Sequence, residues 1–149
     1  MQINIIPFEV DHLKSWCTGD EIYDSFFISY VKETRDHDKM FSAFSPMGYL
    51  IGIGGLDTIW TDKNGNQYGD AWMKIMQIDD WLREEFAMRI RYAFKRLVKQ
   101  HKFKRIQAMV EKEFAKGNCL AELLGFVKEG VMRNAPPNGK DSIMYGMVF

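Results

Sequence analysis

The segment from Lys104 to Phe149 constrains the fold more than any other part of the chain, because it fixes an order of backbone states. The run Arg105-Ile106-Gln107-Ala108-Met109-Val110-Glu111 is rich in β-forming residues and predicts a strand. A short helix follows and ends at Leu124-Gly125-Phe126. Val127–Arg133 then predicts a strand, Pro136-Pro137-Asn138-Gly139 a turn, and Ser142–Phe149 a closing strand. Strand, helix, strand, hairpin and strand in succession require a sheet with a helix packed on it.

The upstream chain continues this pattern. Ile3, Ile5 and Phe8 mark a strand near Pro7, and His12–Trp16 begin a helical turn with Asp11 as its expected cap. Ile22, Phe26, Phe27 and Tyr30 recur at helical spacing, which predicts a helix over 20–33. Lys32–Lys39 read as a solvated loop, Phe41–Phe44 as a strand, and Ser45–Gly48 as a tight turn. Tyr49–Trp60 is a long β run whose Gly52, Gly54 and Gly55 signal a bulge or a close backbone approach. Asp62–Asn66 is a turn, and Asp70–Gln77 the next strand. The longest helix is expected over about 80–101, capped by Asp79 or Asp80, with Leu82, Phe86, Ile90, Ala93, Phe94 and Leu97 as its inward stripe. A strand–helix–strand crossover over 70–111 implies one parallel pair, and the hairpins imply antiparallel ones. The fold class is therefore α/β with a mixed sheet.

At 149 residues the chain predicts one domain, 1–149, with one sizeable core. Lys+Arg and Asp+Glu are both 20, so bulk charge argues against a nucleic-acid or anionic-membrane partner. One local imbalance stands out: Arg89, Arg91, Lys95, Arg96, Lys99, Lys102, Lys104 and Arg105 form a run without an acid. That run suits a phosphate or an acidic partner, but with no aromatic expected on its face it predicts no nucleic-acid binding. Cys17 and Cys119 lack metal-ligand spacing and predict reduced thiols in a cytoplasm. The start of the chain does not read as a signal peptide, and no apolar run is long enough to span a membrane. No metal-ligand pattern appears, and His12, His37 and His101 read as surface or internally satisfied residues.

This order of elements resembles the GCN5-related N-acetyltransferase (GNAT) superfamily over nearly the whole chain. Within it, Ile6-Pro7-Phe8-Glu9-Val10-Asp11-His12-Leu13, Ala71-Trp72, the run Leu124–Arg133, Gly139-Lys140-Asp141 and Tyr145 resemble a phage- and prophage-encoded subgroup. The resemblance implies a mostly antiparallel sheet of six or seven strands, with helices on both faces and strands four and five splayed apart. It implies acetyl-CoA in that gap, with its pyrophosphate on the backbone N–H groups that start the following helix. Met76, Gln77, Ile78, Trp81, Arg83 and Asn118 are then the expected cofactor contacts. Two features depart from the family pattern. Asp80 and Leu82 replace the glycines of the phosphate loop. Phe114 and Ala121 occupy the positions where the family often has an Asn and a thiolate-protonating Tyr.

Candidate catalytic residues follow from topology. Glu111 at the end of strand five and Asp57 on strand three are the best-placed general bases, and Tyr145 is a substitute acid. Trp60, Trp72 and Trp81 flank the expected cleft in sequence, and core packing is the default expectation for each. Three functions fit: an acyl-CoA-dependent N-acyltransferase acting on an amine, a catalytically silent phage particle or assembly component, and an acyl-CoA sensor. The expected partners are an amine and phage structural proteins, with a homodimer as a further expected assembly. The expected location is the host cytoplasm or the virion. A cleft plugged by Trp81, Phe114 or Met109 would favour the silent component.

Overall fold

The computed structural model describes residues 2–136 and 138–149; Met1 and Pro137, the latter part of the expected Pro-Pro-Asn-Gly turn, lie outside the described residues. The strands are β1 (Asn4–Pro7), β2 (Met40–Phe44), β3 (Leu50–Thr61), β4 (Gln67–Ile75), β5 (Phe103–Glu111), β6 (Val127–Ala135) and β7 (Lys140–Val148). The helices are α1 (Glu21–Thr34), α2 (Arg83–Gln100) and α3 (Ala115–Leu123). The seven strands form one sheet in the order β1-β2-β3-β4-β5-β7-β6. Only β4 and β5 are parallel, because α2 carries the chain across between them. The mixed sheet read from the sequence is present, with seven strands.

Each face of the sheet has its own apolar layer. The α2 stripe Leu82, Phe86, Ile90, Ala93, Phe94 and Leu97 is buried with Phe41, Ala43, Ile51, Leu56 and Ile106, and Ala121 of α3 joins this layer. On the other face Phe27 and Val31 of α1 pack on Met40, Leu50, Ile53 and Trp16. The period-two alternation of β2 sends Met40 to one layer and Phe41 to the other. Each large side chain so buried contributes about 1.5–3 kcal/mol.

The glycines of β3 serve both expected purposes. The β2–β3 register shifts between Ala43 and Phe44. A Cβ at Gly52 would lie 2.5 Å from the Lys74 carbonyl oxygen, and one at Gly54 would lie 2.5 Å from Met73 Sδ. These glycines let β3 and β4 approach closely just where the candidate site begins.

Three expectations are corrected. Helix α1 turns Phe27 and Val31 inward and leaves Ile22 and Phe26 86% and 70% exposed, so part of its expected apolar set faces solvent. The turn near His12 is a 3-10 turn over Val10–Ser15 capped at Glu9 rather than Asp11, with the Glu9 N–H donating to His12 Nδ1 at 3.1 Å. Neither Asp79 nor Asp80 caps α2 through its side chain; a 3-10 turn, Asp80–Leu82, leads into the helix instead.

Candidate active site

The feature that makes a site is a divergence between two parallel strands. β4 and β5 pair only from Gln67 opposite Phe103 to Asp70 opposite Gln107. Beyond that point β4 continues through Ala71–Ile75 bonded to β3 alone, and β5 continues through Ala108–Glu111 bonded to β7 alone. The edges that face each other across the gap therefore carry unpaired backbone N–H and C=O groups, which need water or an amide-bearing ligand as partner. Trp81, Phe114 and Met109 are 69%, 50% and 43% exposed, so none of them is buried between the two strands.

An acyl-CoA placed in this gap would meet two different environments. The free strand edges and the flanking Ala71, Met73, Ala108 and Val110 suit an apolar chain that carries amides, as pantetheine does. The start of α2 does not suit a pyrophosphate. No glycine allows close approach, and Asp79, Asp80 and Glu84 are exposed there. Arg83 is committed to Asp80 at 2.9 Å, and Arg89 to Glu85 at 3.2 Å and to Gln2 at 2.7 Å. The carboxylates oppose an incoming anion more than the helix dipole favours it. Of the other expected contacts, Gln77 is exposed and Ile78 packs against the core. Met76 gives its N–H to the Ile51 carbonyl, and its sulfur accepts from the Cys17 N–H at 3.1 Å.

Tyr145 and Asn118 are brought together, but as a structural pair. Tyr145 is 1% exposed, and its hydroxyl donates to Asn118 Oδ1 at 2.8 Å. The Asn118 amide donates in turn to the carbonyls of Glu111 and Phe114, each at 2.9 Å, and so holds the β5–α3 corner. Burial pushes the Tyr145 hydroxyl above its ordinary pKa, aided by the Glu122 charge. A hydroxyl buried there and already hydrogen-bonded to Asn118 is poorly placed for a leaving thiolate. Glu111 sits at the splayed end of β5, where its carboxylate accepts from Asn138 and lies 3.9 Å from Lys140. Ala121 is buried, so the position where the superfamily that the sequence resembles often has a Tyr is here a core contact.

On the α1 face of the sheet lies a cluster that the sequence did not reveal. Asp57 of β3 stands directly opposite Asp70 of β4, the last β4 residue paired with β5. The Arg35 guanidinium pairs with Asp57, lies 4.4 Å from the centre of the Trp72 ring and 4.9 Å from that of Tyr30. Burial pushes the Arg35 pKa down while Tyr30 and Asp70 oppose that shift; Arg35 stays a cation. Arg35 Nε and Trp72 Nε1 are buried without a hydrogen-bond partner among the described residues, which is unusual for donors and marks a polar spot beside the mouth of the gap. Asp57 is thus tied up as an ion pair, whereas Asp70 forms no ion pair among the described residues and is exposed. Alternation in β4 puts Asp70 and Trp72 on one face, and only the cross-strand register adds Asp57 and Arg35. Contrary to expectation, Trp60 is exposed as well as Trp81, and the outer face of α2 does carry an aromatic, Tyr92.

No protein-family model matches this sequence, and no curated protein matches it either. Solved structures match over nearly all of it. An acetyltransferase of the GNAT family from Bacillus anthracis superposes with a TM-score of 0.73 at 14% identity, covering 99% of this chain and 95% of that one. The chain has the GNAT fold. Ard1 from Thermoplasma volcanium matches with a TM-score of 0.71 at 10% identity, over 99% of this chain and 98% of that chain. The NatC complex bound to Gag peptide and CoA matches at 0.68 and 14% identity, over 100% and 99%. Identities this low establish the GNAT fold and leave chemistry to the site. Among the described residues no group of His, Cys, Asp and Glu could hold a metal, and no helix is long and apolar enough to cross a membrane.

Proposed function

We propose that the chain is an N-acyltransferase that uses a pantetheine thioester such as acetyl-CoA and holds its diphosphate weakly. The observation that carries this reading is the end of β4–β5 pairing at Asp70, which leaves the facing edges of Ala71–Ile75 and Ala108–Glu111 without a strand partner. Acetyl-CoA supplies an activated acetyl thioester. The free edges of β4 and β5 bind the pantetheine amides and orient the thioester, and orientation is the main source of rate in such a site. Asp70, on the α1 face at the head of the gap, holds a cationic amine by its charge and accepts the proton that the amine nitrogen sheds on acylation, while Arg35 pairs with Asp57 beside it. A departing thiol, with a pKa near that of cysteine at about 8.5, leaves near neutral pH without a dedicated acid, so Tyr145 is not required.

The motifs shared with the phage- and prophage-encoded subgroup support a phage gene whose product works in a host cytoplasm. A second reading, a silent assembly component that docks on phage structural proteins, is favoured by the acidic start of α2. The test is thiol release from acetyl-CoA across a panel of primary amines, for the wild type and for Asp70→Asn. The expected result is turnover that falls about a hundredfold in Asp70→Asn. Acetyl-CoA binding without turnover on any amine would convert the reading to a sensor, and no binding would leave the silent component.

A further inference from the structure

A pocket of about 600 Å3 lies where β4 and β5 begin, at the opposite end of the parallel pair from where they part. Its floor is Val98, Phe103 and Phe149, and its rim carries Lys95, Lys99, Lys102 and Lys104. None of these four lysines lies within ion-pair distance of a carboxylate among the described residues. Asp62 feels the charge of Lys104, and its carboxylate accepts from the Asn64 N–H at 2.8 Å and the Asn66 N–H at 3.0 Å. Four like charges around one concavity repel each other, and a polyanion is the partner that relieves this.

Lys102 adds an independent sign. It follows the end of α2 in the left-handed region, with φ +59°, a place that helix stops normally give to glycine or asparagine. The Gln67 N–H donates to the Lys102 carbonyl at 2.9 Å, and the Gln67 side-chain amide donates to the His101 carbonyl at 2.8 Å. These bonds clamp the strained turn. Lysines near a helix C-terminus complement its dipole, which accounts for Lys99. That effect accounts neither for Lys104 on β5 nor for a lysine in a glycine-type position. Strain kept where a charged side chain is displayed points to use of that side chain.

We infer that this pocket binds a phosphorylated ligand of nucleotide size, with the lysine ammoniums on its phosphates and the exposed Phe149 ring against its apolar part. The site is separate from the acyl-transfer gap and does not depend on the proposed reaction.

The test is calorimetric titration of the full chain with ATP, with inorganic tripolyphosphate and with a single-stranded oligonucleotide, at low and physiological ionic strength. The variants are Lys95→Ala/Lys99→Ala and Lys102→Gly. Saturable one-to-one binding of ATP is expected, tighter than tripolyphosphate and weakened roughly three- to tenfold per lysine removed. Lys102→Gly is expected to raise the melting temperature while it weakens ATP, a pair of changes that a purely structural lysine cannot produce. Binding of acetyl-pantetheine, which carries no nucleotide, should not change in either variant. Absence of ATP binding, or ATP affinity unchanged in both variants, would overturn the inference. An oligonucleotide that binds tightly with a stoichiometry set by its length would overturn it in favour of a nucleic-acid backbone.

Discussion

Removing the Tyr145 hydroxyl separates a structural from a catalytic role for the one buried tyrosine on β7. The hydroxyl makes a single 2.8 Å bond to Asn118 Oδ1, in a position 1% exposed. Tyr145→Phe deletes that bond and leaves Asn118 Oδ1 without its donor, at a cost of about 1–2 kcal/mol. Asn118→Ala deletes the same bond and also frees the carbonyls of Glu111 and Phe114, which its amide now satisfies at 2.9 Å each, so it costs more, about 2–3 kcal/mol. Because both changes break one shared bond, the double variant should be less damaged than the sum, with a coupling of about 1 kcal/mol. In a chain of this length each kcal/mol lowers the melting temperature by roughly 2–4 °C. Urea unfolding followed by circular dichroism measures all three variants. Strict additivity would refute the reasoning. So would a Tyr145→Phe protein of wild-type stability that has lost turnover, because the hydroxyl would then serve the reaction rather than the fold.

Two further outcomes follow from charge. Asp79→Asn/Asp80→Gly removes two carboxylates from the start of α2 and frees Arg83, and acetyl-CoA affinity by calorimetry should rise roughly three- to tenfold, most clearly at low salt. Asp24 is held below the usual carboxylate range: burial alone would raise it, but bonds from Thr18 Oγ1 at 2.7 Å and the Thr18 N–H at 2.9 Å outweigh burial. A depressed folded pKa stabilises above the unfolded value of about 3.9 and loses that contribution as pH falls through the folded value. Asp24→Asn should therefore lower stability at neutral pH and flatten the acid side of the melting-temperature profile, and an unchanged acid side would count against this assignment.

What the sequence showed well was whatever depends on local pattern. The strands from Arg105 onward, the α2 stripe and the β3 glycines each follow from spacing or from steric demand within a few residues. The parallel pair, and so the existence of a gap, follows from one crossover helix. The failures come from choices made across the sheet. Ile22 and Phe26 lie at the same helical spacing as Phe27 and Val31, and only packing on Met40 and Ile53 decides which pair turns inward. Arg35 reads as one more charge in a solvated loop until folding lays it on Trp72 beside Asp57. Asp70 reads as the start of a strand until register sets it opposite Asp57 at the head of the gap. Tyr145 reads as a strand tyrosine packed on the sheet or as a substitute acid, and its hydrogen-bond partner Asn118, 27 residues away, emerges only on folding. Asp79 and Asp80 have the right residue type for caps, yet a 3-10 turn moves the helix start beyond their reach.

The central claim is that a pantetheine arm lies between β4 and β5. The most direct measurement is an NMR titration of isotope-labelled protein with acetyl-CoA, observing backbone amides. Saturable shifts confined mainly to Ala71–Ile75, Ala108–Glu111 and the start of α2 are the predicted result. No shifts up to millimolar ligand, or shifts gathered instead around Lys95, Lys99 and Phe103, would contradict it.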